Sequence, residues 1–221
     1  MKLHIPKVII FDWDNTLVDT WGLIHASIRK VFLEFDKEPL TLEEMKVTIH
    51  KSLKDAFPLI FGKCWEDAGK RFYHYYCNTP ASAIKPLAGA LELLTLLKGN
   101  GISLGIVSNK RGDILRKEVG HLGWTGYFDQ ILGSLDVCED KPSPMPVLEL
   151  LKLLKISDAS DAWFVGDTIV DMECAKSAGC LPIFFGRSAK INEIQVESHA
   201  ELSELYLSSQ RAVSGSNLMN G

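Results

Sequence analysis

Apolar residues fall into two rhythms along this chain. Short runs occupy consecutive positions: Val8-Ile9-Ile10-Phe11, Ile102 to Val107, Ala162 to Val165 and Leu181 to Phe185, with a weaker run at Gln130-Ile131-Leu132. Such runs suit strands covered on both faces, as in a parallel sheet. Between them, apolar residues recur every three or four positions. Leu87, Ala90, Leu91, Leu94 and Leu97 outline one helix, stopped by Gly99 and Gly101. Val147, Leu148, Leu151 and Leu154 outline a second, entered through Pro142-Ser143-Pro144. Met172, Ala175 and Ala178 form a narrower stripe that ends at Gly179. Strands alternating with helices predict an α/β fold, a doubly wound and mostly parallel Rossmann-like sheet with right-handed crossovers.

Residues 18–84 break this alternation. Trp21, Ile24, Ile28, Val31, Phe32 and Phe35 mark an amphipathic helix, and Thr41-Leu42-Glu43-Glu44 is a capping-box sequence opening another. Phe72, Tyr73, Tyr75 and Tyr76 belong to a third. With no strand expected here, the stretch reads as an all-helical domain inserted after the first strand. Lys85-Pro86 is the expected return hinge. Residues 1–17 and 85–207 then form the core. Residues 208–221, small and polar, are expected to be a disordered tail.

Composition narrows the function classes. Of 221 residues, 46% are hydrophobic and 24% charged, which excludes a disordered chain. Against 28 acidic residues stand 24 Lys and Arg, so the mild net charge of −4 argues against a general nucleic-acid binder. No run reaches the roughly 18 uncharged apolar residues of a membrane span, and the N-terminus lacks a signal-peptide pattern. The five cysteines form no CxxC pair, so they read as buried free thiols in a reducing compartment. A cytoplasmic protein with no membrane partner is expected.

The chemistry gathers where the strands end. In an open parallel sheet, ligands bind beyond the carboxyl ends of the strands. Asp12 and Asp14 directly follow the first run, in Asp12-Trp13-Asp14-Asn15-Thr16. Alone, such a pair reads more readily as N-cap or turn aspartates. A second acidic pair follows another run, in Gly166-Asp167-Thr168-Ile169-Val170-Asp171, with Asp171 four residues beyond Asp167. Carboxylates converging on one edge need a cation. Oxygen ligands with no His or Cys nearby point to a hard ion, Mg²⁺. Ser108-Asn109-Lys110 and Asp140-Lys141-Pro142 stand after two further runs. A hydroxyl, a turn and an ammonium beside a metal suit the three charged oxygens of a transferring phosphoryl group.

With these four motifs the sequence resembles the haloacid dehalogenase superfamily, over nearly the whole chain except its tail. The helical insertion resembles the family's type-one cap, and Ser108-Asn109-Lys110 resembles the phosphoglycolate phosphatases. The resemblance implies a Mg²⁺-dependent phosphatase of a small phosphorylated metabolite, working through an aspartyl-phosphate. Asp12 would be the nucleophile and Asp14 the general acid and base. Asp12, Asp167, the backbone carbonyl of Asp14 and Asp171 would hold the metal. Ser108, Asn109, Lys141 and Thr16 would serve the phosphate, Thr16 as a supporting hydroxyl. Members that cleave carbon–halogen bonds typically lack the second Asp, so Asp14 favours phosphoryl chemistry. Asn15 departs from the family's usual Gly, and the turn is expected to survive because Asn tolerates left-handed backbone angles.

His50, Lys51 and Lys54 in the insertion are candidates for reading the substrate's far end, with a solvated helix face as the competing reading. Trp65, Phe72, Tyr73, Tyr75 and Tyr76 could stack on a nucleobase, or simply form the core of the insertion. No pattern joins His4, His25, His74, His121 and His199. A sugar-phosphate mutase or a nucleotidase on the same core remains an alternative. A phospho-accepting receiver fits less well, because residues 18–84 and the late Asp pair are foreign to one. A non-catalytic scaffold finds no support while the proposed catalytic residues are all present.

Overall fold

The structure is a computed structural model that describes residues 3–48, 53–80 and 83–217. Its centre is β1 (Val8–Phe11), fully buried and paired in parallel on both sides, with β4 (Ser103–Arg111) and β6 (Ala162–Gly166). Outside these lie β5 (Gln130–Ser134) on one flank, and β7 (Leu181–Phe185) then β8 (Ile194–Val196) on the other. The sheet order is β5-β4-β1-β6-β7-β8, every pairing parallel, as expected for the α/β fold. The chain builds one flank and then crosses β1 to build the other. The carboxyl ends of β4, β1 and β6 therefore flank the topological switch point, where such sheets bind ligands.

Side chains alternate across this sheet with a period of two. Ile9, Phe11, Trp163 and Val165 face one apolar cluster, and Val8, Ile10, Ala162 and Phe164 face the other. The first cluster is closed by α5 (Ala90–Gly99), α6 (Gly112–His121) and α9 (His199–Asn217). The second is closed by α7 (Met145–Leu153) and α8 (Ile169–Ala178). Gly105 of β4 is a close-approach position, since a Cβ there would lie 2.7 Å from Leu150 Cδ1 on α7.

The insertion consists of α1 (Trp21–Glu34), α2 (Leu42–Thr48), α3 (Leu53–Phe61) and α4 (Trp65–Cys77). Its own apolar cluster joins Ile28, Phe32, Met45, Phe57, Phe61 and Phe72. Ile114 of α6 reaches into this cluster from the core. The capping box forms as read: Thr41 Oγ1 accepts from Glu44 N–H at 3.2 Å, and Glu44 Oε2 accepts from Thr41 N–H at 2.8 Å. The stretch is not wholly helical. β2 (Val18–Asp19) pairs antiparallel with β3 (Lys85–Pro86), a two-strand ribbon where the chain leaves and re-enters the core.

Two further expectations are corrected. Residues 208–217 continue α9 instead of forming a disordered tail. Tyr206 anchors that end, fully buried, and Ser209 is buried beside it with its Oγ donating to Tyr206 O at 2.7 Å. Gln210 Nε2 donates to the Tyr206 hydroxyl at 2.7 Å and to Asn100 Oδ1 at 3.3 Å. All five cysteines are free, yet only Cys174 and Cys180 are buried. No described helix is long and apolar enough to cross a membrane. Truncation after Leu207 removes the Ser209 and Gln210 hydrogen bonds and should lower unfolding free energy by about 1–3 kcal/mol in urea titrations. An unchanged midpoint would mean that the last turns of α9 contribute nothing.

Candidate active site

Lys141 is the centre of the site. Its side chain is 3% exposed, and its ammonium donates to Asp12 Oδ1 at 2.8 Å, Asp171 Oδ1 at 2.6 Å and the Val107 carbonyl at 3.0 Å. Burial opposes its charge, but Asp12 and Asp171 outweigh burial and hold its pKa above the ordinary lysine value. Asn109 fastens the lysine's backbone, accepting from Lys141 N–H at 2.9 Å and donating to Lys141 O at 3.0 Å. The side chain assigned to the phosphate by sequence is thus engaged in positioning Lys141.

Asp12 follows β1, and its N–H donates to Val165 O at 2.9 Å, locking the turn to β6. Burial pushes its carboxyl up to about 6; Lys141 pulls the other way, while Asp171 and Asp14 add to the rise. Burial likewise raises Asp167 well above the usual carboxylate range, with Asp12 and Asp171 adding to it. Carboxylate oxygens of Asp12, Asp167 and Asp171 lie within 4.8 Å of one another. Three carboxylates share one ammonium, so the site has negative charge left to neutralise. An all-oxygen donor set fits Mg²⁺. Asp171 has other duties besides: its Oδ2 accepts from Thr168 N–H at 3.0 Å and Thr168 Oγ1 at 2.6 Å, forming the capping box of α8. Gly166 makes this approach possible, because a Cβ there would lie 2.4 Å from Asp171 Cβ.

Asp14 occupies the opposite wall. Its Oδ1 accepts from Thr20 Oγ1 and from Lys110 Nζ, each at 2.6 Å. Asn15 adopts the left-handed conformation, φ 60°, as its tolerance for that region suggested. Its side chain also supplies what Gly could not: Oδ1 accepts from the N–H groups of Thr20 and Trp21, at 3.2 and 3.1 Å, capping α1. Ser108 is buried at the end of β4, lines the cavity, and its Oγ accepts from Lys110 N–H at 3.3 Å. Thr16 is fully buried and donates to Asp167 Oδ1 at 3.4 Å, so it supports the carboxylate cluster and does not face a phosphate.

Several participants were not found by sequence reasoning. Lys110 Nζ also donates to Glu118 Oε2 at 2.7 Å and to the Tyr76 hydroxyl at 2.8 Å. That hydroxyl donates to Glu118 Oε1 at 2.9 Å, and Trp13 Nε1 donates to Glu118 Oε2 at 2.7 Å. Burial raises Glu118 above the usual carboxylate range, with Lys110 opposing. Ser108-Asn109-Lys110 was a visible signal for Lys110. Glu118 sits on an ordinary helical stretch and carries none, and Tyr76 was visible only as one of an aromatic cluster, not for its hydroxyl. His199 is also structural: its ring nitrogens lie 2.9 Å from the carbonyl oxygens of Ala88 and Thr16, tying α9 to the loop after β1 and to the turn before α5.

His50 and Lys51 lie outside the described residues. Lys54 pairs with Asp140 Oδ2 at 3.0 Å and does not line the cavity that holds Asp12. The Asp140 carboxylate, 2% exposed, needs a cation, and α3 supplies one. Phe72 and Tyr76 are buried in the insertion, and both line the cavity.

Folded Asp12 binds its proton more tightly than the unfolded carboxylate, whose pKa is 3.8. Between pH 3.8 and about 6 the folded state therefore holds the extra proton. Stability of metal-free protein should fall as pH rises through that window, and Mg²⁺ should abolish the fall by occupying the ionised cluster. Thermal melts of the wild type and Asp12→Asn across pH 4–7, with and without Mg²⁺, separate this contribution from that of His199, whose lowered pKa works the other way; a metal-free wild type that gains stability over the variant as pH rises would contradict the assignment.

Known proteins resemble this chain in sequence and fold. The sequence profile of the haloacid dehalogenase-like hydrolases matches residues 9–184. A phosphoglycolate phosphatase of Aquifex aeolicus is 33% identical over 181 residues, covering 78% of this chain and 81% of its own. The crystal structure of a Had-superfamily hydrolase from Ehrlichia chaffeensis is 33% identical, with a TM-score of 0.67 over 94% of this chain and 98% of that one. A HAD-superfamily hydrolase of Geobacter sulfurreducens shares the fold at 22% identity, with a TM-score of 0.71 over 90% of this chain and 99% of its own. The chain belongs to the haloacid dehalogenase-like hydrolase family.

Proposed function

We propose that this protein is a Mg²⁺-dependent phosphatase that hydrolyses a small phosphomonoester through an aspartyl-phosphate on Asp12. The observation that carries this is Asp12 itself: a buried carboxylate held by Lys141 at 2.8 Å, within a carboxylate cluster at the switch point of the sheet. The cavity above it has a volume of about 130 Å³, which suits a metabolite and not a polymer. The relative named phosphoglycolate phosphatase supports a small phosphate ester.

Asp12 and Asp167 would hold Mg²⁺ with the backbone carbonyl of Asp14, and Asp171 would contribute through water. When bound, the ion neutralises carboxylate and phosphoryl charge. Lys141 orients Asp12 and offsets charge on the phosphoryl oxygens, and Ser108 Oγ is placed to donate to one of them. The Asp12 carboxylate forms a bond to phosphorus as the bond to the ester oxygen breaks. Asp14 delivers a proton to that departing oxygen. Water then attacks phosphorus, giving its proton to Asp14, and the Asp12 carboxylate leaves. Free cysteines support a reducing, cytoplasmic setting.

Phosphate release from a generic ester in the presence of Mg²⁺ tests this. Asp12→Asn should lower kcat by more than about 10⁴-fold. Asp14→Asn should cost about 10²–10⁴-fold with an alkyl ester and much less with an aryl ester, whose oxygen leaves without a proton. Undiminished turnover by Asp12→Asn would overturn the nucleophile.

A further inference from the structure

The cavity has two unlike ends. Around Asp12 it is polar and charged. Opposite, it is walled by Trp21, Ile24, Leu53, Phe72 and Tyr73 of the insertion and by Ile114 of α6. This wall faces the position of the ester's alcohol, because the phosphoryl end is fixed by Asp12 and Lys141.

Cations decide what the wall accepts. Apart from Lys141, whose ammonium is engaged by Asp12, Asp171 and Val107 O, Lys110 is the cation among the described lining residues. An ammonium has three protons. Those of Lys110 meet three acceptors: Asp14 Oδ1, Glu118 Oε2 and the Tyr76 hydroxyl, at 2.6, 2.7 and 2.8 Å. Binding a substrate carboxylate would require breaking one of these bonds, beside two carboxylates that repel it. Arg111 lies outside the cavity lining, paired with Asp113 and stacked over the Tyr73 ring at 4.5 Å. Among the described lining residues, a second anionic group would thus meet no uncommitted cation to offset the water it loses. An apolar group gains burial against the same wall.

We infer that the preferred substrate is the phosphate monoester of an apolar or aromatic alcohol, seated on this wall. Esters of carboxylated or doubly phosphorylated alcohols are disfavoured. This rests on the phosphatase reading above.

The test compares kcat/KM for 2-phenylethyl phosphate, ethyl phosphate and 2-phosphoglycolate with Mg²⁺ present. All three are esters of primary alcohols, so intrinsic leaving ability differs little and the wall decides. The expected order places 2-phenylethyl phosphate about ten- to a hundred-fold above ethyl phosphate, with 2-phosphoglycolate no better than ethyl. Ile24→Ala and Trp21→Ala, checked for folding by their melts, should each reduce the phenylethyl-to-ethyl ratio severalfold. A ratio of one or less in the wild type overturns the inference, as does preference for 2-phosphoglycolate or a full ratio in both variants. Failure to hydrolyse any of the three would instead overturn the phosphatase reading beneath it.

Discussion

One buried ammonium governs the active edge of this fold. Lys141 has almost no contact with solvent and spends its donors on Asp12, Asp171 and a backbone carbonyl of β4. Removing one partner of a buried ion pair costs about 3–5 kcal/mol, because the other is left charged without water. The lysine therefore binds three segments distant in sequence: the loop after β5, the end of β1 and the first turn of α8. It does not cancel their charge. Asp12 still titrates near 6, and Asp167 also lies above its usual range, because burial outweighs the help of one cation. That residual strain is what a divalent cation would relieve, and it falls on both Asp12 and Asp167.

A second ammonium organises the opposite wall. Lys110 gathers Asp14 and Glu118 from the core and Tyr76 from α4. Tyr76 of the insertion is thereby linked to Asp14 through Lys110, in addition to Ile114 packing into the insertion's apolar cluster. Lys54 repeats the theme at Asp140, the neighbour of Lys141. Polar links from the insertion reach both sides of the catalytic edge, and the apolar surface of α1 and α4 roofs the space between.

What was legible in the sequence followed local rules. β1 begins and ends where its apolar run does, because full burial on both faces removes polar residues from the run, and the half-buried β7 also coincides with its run. The carboxylates were visible because acidic residues directly after such runs are costly without a purpose. Asn15 was legible through its backbone preference, though its capping of α1 was not. What escaped depends on partners far away. Glu118 looks like a solvated helix residue until Lys110, Trp13 and Tyr76 are seen around it. The end of α9 looks like a polar tail because its serines bond their own backbone and its anchor, Tyr206, is a single residue. β8 is three residues long, too short to show a period. Asn109 and Lys54 were read as substrate-facing by type, and the backbone of Lys141 and the carboxylate of Asp140 claim them instead.

The central claim is that Asp12 is transiently bonded to phosphorus. Rapid acid quench during turnover, followed by peptide mass analysis, measures this directly. The account predicts one added phosphoryl group on the peptide carrying Asp12, formed in step with the first turnover and absent from the protein before substrate is added. Turnover at full rate with no phosphorylated peptide, or with the group on another residue, would contradict it.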